Sequence, residues 1–208
     1  MKIDKIITKK EQEVMTPDQV LNDLLEGNKR FIEEKLNDKN NKTLVESATA
    51  GQHPKAVVLS CVDSRVPVET VLDQAIGDIF VSRVAGNFEN TDILGSMEYA
   101  CKVAGSKLVF VLGHESCGAV SAACDGVELG NITSMLENIK PAVKAVEVNG
   151  EKTSKNPDFV QAVVEKNVKL TIDRIREKSS ILKEMENNGE IKIVGGVYSL
   201  KTGKIKML

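Results

Sequence analysis

Two apolar runs, each broken off by a group of chemically active side chains, constrain this chain more than any other feature. The first, Ala56 to Leu59, passes through Ser60-Cys61-Val62-Asp63-Ser64-Arg65-Val66 to Pro67. A short continuous apolar run bounded by turn signals reads as a fully buried strand. Pro67 cannot continue a sheet and suits the start of a helix. The second, Lys107 to Leu112, leads into Gly113-His114-Glu115-Ser116-Cys117-Gly118 and then a small-residue helix, Ala119 to Cys124. Strand, turn and helix in repeated order argue for an α/β fold: a central, mostly parallel sheet with right-handed crossovers, flanked by helices.

The side chains at these breaks suggest a metal. Cys61, Asp63 and Arg65 alternate, and alternation in an extended segment puts all three on one side. They project where a strand ends, which is where open α/β sheets place their sites. His114 and Cys117 offer one imidazole and one thiolate to a single ion; adding Cys61 gives a Cys/His/Cys set that suits Zn²⁺. The fourth position is left for water or for Asp63. Alone, Cys61 reads equally well as a small buried hydrophobe, but two strand-end sites beside an Asp-x-Arg pair favour the metal. The Arg65 fork can hold the Asp63 carboxylate off the ion through paired hydrogen bonds. If that pair breaks, Asp63 can cap the zinc. A purely structural ion pair is the plainer alternative.

The rest of the chain is read as one domain, 1–208, with 1–35 as an N-terminal helical arm. Residues 1–15 are charged and expected to fray. Thr16-Pro17-Asp18-Gln19 reads as a helix start, with Thr16 as N-cap, Pro17 in the first position and Gln19 closing a capping box. Residues 37–55 carry few signals. A short helix is expected from Val66 to Gln74 and a strand from Ile79 to Val84. Helices follow at Thr91–Val103, Ile132–Val148 and within Phe159–Met185, then a last strand at Ile191–Leu200 and a turn into a short strand ending at Leu208.

Composition narrows the function. Lys and Arg number 28 against 30 Asp and Glu, which leaves no electrostatic footprint for nucleic acid. No apolar run approaches the ~20 residues of a membrane span, and the N-terminus lacks the apolar core of a secretory signal. A cytoplasmic location is expected. The four cysteines suit metal-bound or buried thiols in a reducing compartment. Cys124 lies ~10 Å along the helix from Cys117, at 1.5 Å per residue, so one ion cannot reach both; Cys101 and Cys124 read as helix-packing side chains. His53 reads as a surface residue.

Together these motifs resemble the β-class carbonic anhydrases. The resemblance extends to Gly51-Gln52, Gly77-Asp78-Ile79-Phe80, Arg83-Val84-Ala85-Gly86-Asn87, Gly95-Ser96-Met97-Glu98-Tyr99-Ala100 and Val194-Gly195-Gly196-Val197-Tyr198. It implies reversible hydration of CO2 to bicarbonate by zinc-bound hydroxide, with one Zn²⁺ per subunit and Asp63 and Arg65 as catalytic residues. It also implies a substrate pocket of Gln52, Phe80, Ala85, Tyr99 and Gly118. Gln52, Phe80 and Tyr99 would come from a neighbouring subunit in a homodimer or homotetramer, and the N-terminal arm would pack on that partner. Some bacterial members carry an inhibitory bicarbonate site that uses a Trp three positions before the first cysteine. Here that position is Val58, so no such regulation is expected and the open form is favoured. Alternatives are a CS2 or COS hydrolase of the same family, a non-catalytic structural zinc protein with Asp63 as a permanent ligand, and a Cys61 nucleophile with Arg65 as oxyanion partner.

Overall fold

In the computed structural model, which describes residues 2–208, both apolar runs are central strands. The elements in chain order are β1 (Lys2–Ile3), α1 (Lys9–Val14), α2 (Pro17–Ile32), β2 (Asp38–Lys39), α3 (Asn41–Ala48), β3 (Ala56–Ser60), α4 (Val68–Val71), β4 (Ile79–Arg83), α5 (Thr91–Glu98), a π-helical turn (Tyr99–Val103), β5 (Leu108–His114), α6 (Gly118–Cys124), α7 (Gly130–Leu136), α8 (Lys140–Ala145), α9 (Pro157–Lys178), α10 (Ser180–Asn187), β6 (Lys192–Tyr198) and β7 (Ile205–Met207). Among the described residues the main sheet has the order β4-β3-β5-β6-β7. Its first four strands are parallel, and β7 closes the edge antiparallel to β6.

Every residue of β3 and β5 is buried, as parallel strands covered on both faces require. The two-residue period of the pleat divides their side chains between two cores. Val57, Leu59, Val109 and Val111 pack on one side with Val163, Val164 and Val168 of α9 and Leu182 of α10. Ala56, Val58, Leu108 and Phe110 pack on the other with Val20 and Leu24 of α2 and Val68 and Val71 of α4. The chain leaves β3 for β4 on one side and leaves β5 for β6 on the other. The carboxyl ends of β3 and β5 therefore flank the point where the winding reverses, the place where such sheets form a crevice.

The N-terminal region is more ordered than its charge suggests. Thr8 and Glu11 form a capping box that starts α1, and buried Gln12 donates to the Pro54 and Ala104 carbonyls, both at 2.8 Å. Thr16 and Gln19 start α2 as expected. Val20 and Leu24 of α2 are buried against the sheet of the same chain, while Ile32 is exposed. Asn28 donates to the Val71 and Gly203 carbonyls and accepts from the Ile205 N–H, at 3.0, 2.8 and 3.0 Å. Buried Asp73 ties the same region down, accepting from Arg30 at 2.6 Å and Lys39 at 2.7 Å.

Other boundaries shift for local reasons. The helix expected over Ile132–Val148 is two, α7 and α8, because Pro141 near the start of α8 cannot donate to a preceding turn. The long helical stretch after Phe159 divides at Ser179, whose hydroxyl caps α10 by accepting from the Leu182 N–H at 3.2 Å.

Candidate metal centre

β3 delivers Cys61 just past its last residue, β5 ends on His114, and Cys117 caps the N-terminus of α6. One potential ligand atom from each lies within 4.8 Å of the others, and all three residues are buried. The two sulfurs are 3.9 Å apart. Two sulfurs each ~2.3 Å from a tetrahedral zinc would be ~3.8 Å apart, so the spacing fits that ion. His114 is fully buried. Its Nδ1 is 2.8 Å from the Glu115 carbonyl oxygen, which places the ring proton there, and its Nε2 has no partner. An imidazole with one nitrogen anchored to a carbonyl and a lone pair on the other is the arrangement a metal ligand needs.

The thiols differ in their surroundings. The contact with Cys117 pulls the Cys61 thiol down against the push of burial, with help from His114 and from the Gly86 and Asp63 backbone. The same contact, together with burial, pushes Cys117 up. Metal binding at such a pair requires both thiols to lose their protons.

Asp63 and Arg65 do meet, though not by strand alternation. The strand ends at Ser60 and the chain turns, with the Val66 N–H donating to the Asp63 carbonyl at 3.1 Å. The Asp63 carboxylate accepts the Arg65 N–H at 2.9 Å in an Asx-type turn. It also takes the guanidinium fork, at 2.9 Å from Nε and 2.7 Å from the terminal nitrogen. That fork, working against burial, holds the Asp63 carboxyl well below the usual carboxylate range. Asp63 Oδ2 is 3.8 Å from His114 Nε2, so the carboxylate borders the site while Arg65 holds it.

Three residues that shape this site had no role assigned from sequence. Arg83, the last residue of β4, donates to the carbonyls of Cys61, Asp63 and Val66 at 2.7, 2.7 and 3.1 Å and clamps the whole turn. Gly86 donates its N–H to Cys61 Sγ at 3.3 Å, and Asn167 of α9 donates to the Gly86 carbonyl at 2.8 Å. Arg83 and Gly86 lie in a segment noted only as part of a resemblance. Asn167 sits in an ordinary helical pattern, and no local signal marks it.

Of the expected pocket residues, Ala85 and Gly118 lie next in the chain to residues that form the site, while Gln52, Phe80 and Tyr99 line other cavities. Phe80 and Tyr99 stack edge to face at 6.1 Å and line a 630 Å³ cavity with Val57, Thr91 and Ser96. Phe80 pairs with Val57 in the sheet, four residues before Cys61. Gln52 and His53 line a separate 330 Å³ cavity that also touches Tyr99. Ala85 adjoins Gly86 in the turn after β4, and Gly118 opens α6 behind Cys117. A larger cavity of 730 Å³ lies under residues 2–7 against Lys55, Asp73 and Asp78, at the amino-terminal edge of the sheet and remote from the thiols.

Known proteins share both sequence and architecture with this chain. Carbonic anhydrase 2 of Mycobacterium tuberculosis is 36% identical over 187 residues, 87% of each chain. The carbonic anhydrase of Mycolicibacterium smegmatis is 33% identical over 190 residues, 88% of this chain and 89% of its own. Among solved structures, a tetrameric β-carbonic anhydrase of Sordaria macrospora superposes with a TM-score of 0.69 at 25% identity, covering 81% of this chain and 87% of its own. A β-carbonic anhydrase of Aspergillus fumigatus does so with 0.68 at 26%, covering 80% and 81%. The carbonic anhydrase family model matches residues 56–205. That match begins with the first residue of β3 and ends with the first of β7, taking in every parallel strand of the main sheet and both strand-end turns, and on it the chain belongs to the β-carbonic anhydrase family.

Proposed function

We propose that this protein is a zinc-dependent enzyme that interconverts CO2 and bicarbonate, with Cys61, His114 and Cys117 holding one Zn²⁺ per subunit and Asp63 and Arg65 as the catalytic pair. One observation carries the reading: two sulfurs and an unpartnered imidazole nitrogen converge while the neighbouring carboxylate is held in an arginine fork. When bound, zinc supplies Lewis acidity that brings the pKa of a water toward neutrality.

The residues of the chain do the rest. Asp63 accepts a hydrogen bond from the attacking water and aims its lone pair at the carbon of CO2. As the new C–O bond forms, one C=O electron pair moves onto oxygen; of the water's two protons one passes to solvent and the other stays on the product, leaving bicarbonate. Arg65 keeps Asp63 in this accepting role and out of the water's place. Two thiolates donate more negative charge than imidazoles, so activity rises on the alkaline side. Val58 is fully buried in the apolar core, which supports the absence of a regulatory bicarbonate site there.

Phe80, Tyr99 and Gln52 complete the pocket from a neighbouring subunit, with Ala85 and Gly118 contributed by the zinc-holding chain. Their separation from Cys61 within one chain supports a homodimer or homotetramer as the active form. Tyr99 is 52% exposed and Val103 71%, an apolar surface suited to such a partner. Among the described residues no helix is long and apolar enough to cross a membrane. The four cysteines are free, in keeping with a reducing cytoplasm.

Stopped-flow CO2 hydration across pH, before and after zinc removal, tests the assignment. Zinc-dependent activity that rises with pH is expected. A zinc-loaded protein inactive on CO2 at every pH but active on CS2 or COS would transfer the substrate assignment to those molecules.

A further inference from the structure

We infer that Asn167, on α9, is a positioning residue for the Cys61 sulfur, acting through the backbone of Gly86. This rests on the reading of Cys61 as a metal ligand. The Asn167 amide donates to the Gly86 carbonyl at 2.8 Å, and the Gly86 N–H donates to Cys61 Sγ at 3.3 Å. The two bonds use the two sides of one residue. Gly86 and Asn87 have φ of 86° and 42°, two successive left-handed residues, and the Asn87 N–H donates to the Val84 carbonyl at 2.9 Å. The Gly86 carbonyl and the Gly86 N–H belong to adjacent peptide planes, so holding the first on both its edges limits the rotations at Gly86 that would swing the second away from the sulfur.

Position 86 favours glycine because L side chains rarely adopt its φ of 86°, and a Cβ there would also lie 2.4 Å from Ile139 Cδ1. Asn167 has equally little freedom. A Cβ on Gly113 would lie 2.7 Å from Val168, and one on Gly195 would lie 2.5 Å from Val168 and 2.6 Å from Ile172. The two glycines let α9 sit close against β5 and β6, and that seat sets the height of the Asn167 amide.

The side chain's own packing does not account for the placement. Asn167 is 1% exposed, shares its helix with buried Val163, Val164 and Val168, and leaves its own Oδ1 without a partner. A buried amide with an unmatched acceptor is costlier than an aliphatic side chain of the same size. What Asn167 supplies is direction: a donor aimed at the thiolate withdraws charge from the sulfur and fixes its lone pairs, the service outer-shell partners give metal ligands. Asn167 thus does for Cys61 what the Glu115 carbonyl does for His114.

The test uses the full chain with cobalt(II) in place of zinc. Asn167→Leu keeps the volume and removes the donor. It is expected to shift the near-ultraviolet thiolate-to-cobalt band and to weaken zinc, in chelator competition, by about 10-fold. Ile175→Ala, a buried truncation two turns along the same helix, serves as the control for destabilisation and is expected to change neither. Identical bands and zinc affinities within about twofold in Asn167→Leu, or equal changes in Ile175→Ala, overturn the inference. A wild-type measurement needs no variant: with a spin-active cadmium isotope bound, the Gly86 amide proton is expected to couple to cadmium across Cys61, and absence of that coupling overturns the inference. If wild-type protein shows no thiolate-to-cobalt band, it is the ligand assignment that has failed, and this inference falls with it.

Discussion

Gly113, the residue before His114, is where the packing of α9 bears most directly on the metal centre. An alanine methyl there would sit 2.7 Å from Val168 Cγ2 and 3.5 Å from Val164 Cγ1. Carbon atoms prefer separations of ~3.5–4.0 Å, so the first contact overlaps by roughly 1 Å. Val168 is fully buried, so it cannot relieve the overlap by moving into solvent. Overpacking of this kind costs ~1–3 kcal/mol. Gly113 is not in the left-handed region, so alanine recovers ~0.4–1 kcal/mol through the unfolded chain. The net for Gly113→Ala is a loss of about 1–2 kcal/mol. Val168→Ala alone removes buried methyls and costs ~2–3 kcal/mol. With Val168→Ala already present the clash is gone, and Gly113→Ala becomes neutral or slightly stabilising. Urea denaturation of all four members of this cycle, with and without zinc, measures the coupling. The zinc affinity of Gly113→Ala falls because His114 moves with its neighbour, and it recovers in the double variant. Costs that add within ~0.5 kcal/mol would refute the claim that Val168 seated against Gly113 holds α9 in place.

Further outcomes follow from the site and its supports. Asp63→Ala retains zinc by metal analysis and loses most CO2 turnover; undiminished turnover removes Asp63 from the mechanism. Arg83→Ala releases three carbonyls of the Cys61–Val66 turn, and titration with a chelator is expected to show zinc held at least about 10-fold more weakly; unchanged affinity denies the clamp. Burial raises the carboxyl of Asp73, but Lys39, Arg30 and the Asn37 N–H outweigh it and leave it below its ordinary value. Its contribution to stability is therefore complete above the unfolded value of about 3.9 and fades as pH falls through the lower folded one. Asp73→Asn should lower the urea midpoint near neutral pH and flatten its acid limb, and an unaltered acid limb would show that Asp73 is not its source. Sedimentation at assay concentrations is expected to find activity only in dimers or larger species, and a fully active monomer would return the whole pocket to one chain.

The separate origins of these features explain what was readable beforehand. Both central strands were visible because burial on two faces demands unbroken apolar runs. The start of α2 was visible because Thr16, Pro17 and Gln19 carry its cap within four residues. Thr8 and Glu11 hold the same signal, yet the surrounding charge masked it. The division between α7 and α8 could have been found at Pro141. The Asp63–Arg65 contact was anticipated for the wrong geometric reason: a carboxylate two residues before an arginine closes its own turn, and no extended strand is needed.

By itself the sequence determined the kinds of donor available, the strands that carry them and the positions where those strands break off, because each depends on side chains within a few residues of one another. Only the tertiary structure decided that Cys61, His114 and Cys117 converge, that Val20 and Leu24 of α2 are buried against the sheet, that Arg83 clamps the turn, and that Asn167 reaches Gly86 across 81 positions of chain. Those contacts join segments brought together by the burial of two apolar faces of one sheet, and no local pattern specifies which distant side chain will stand at the end of a strand once that burial is complete.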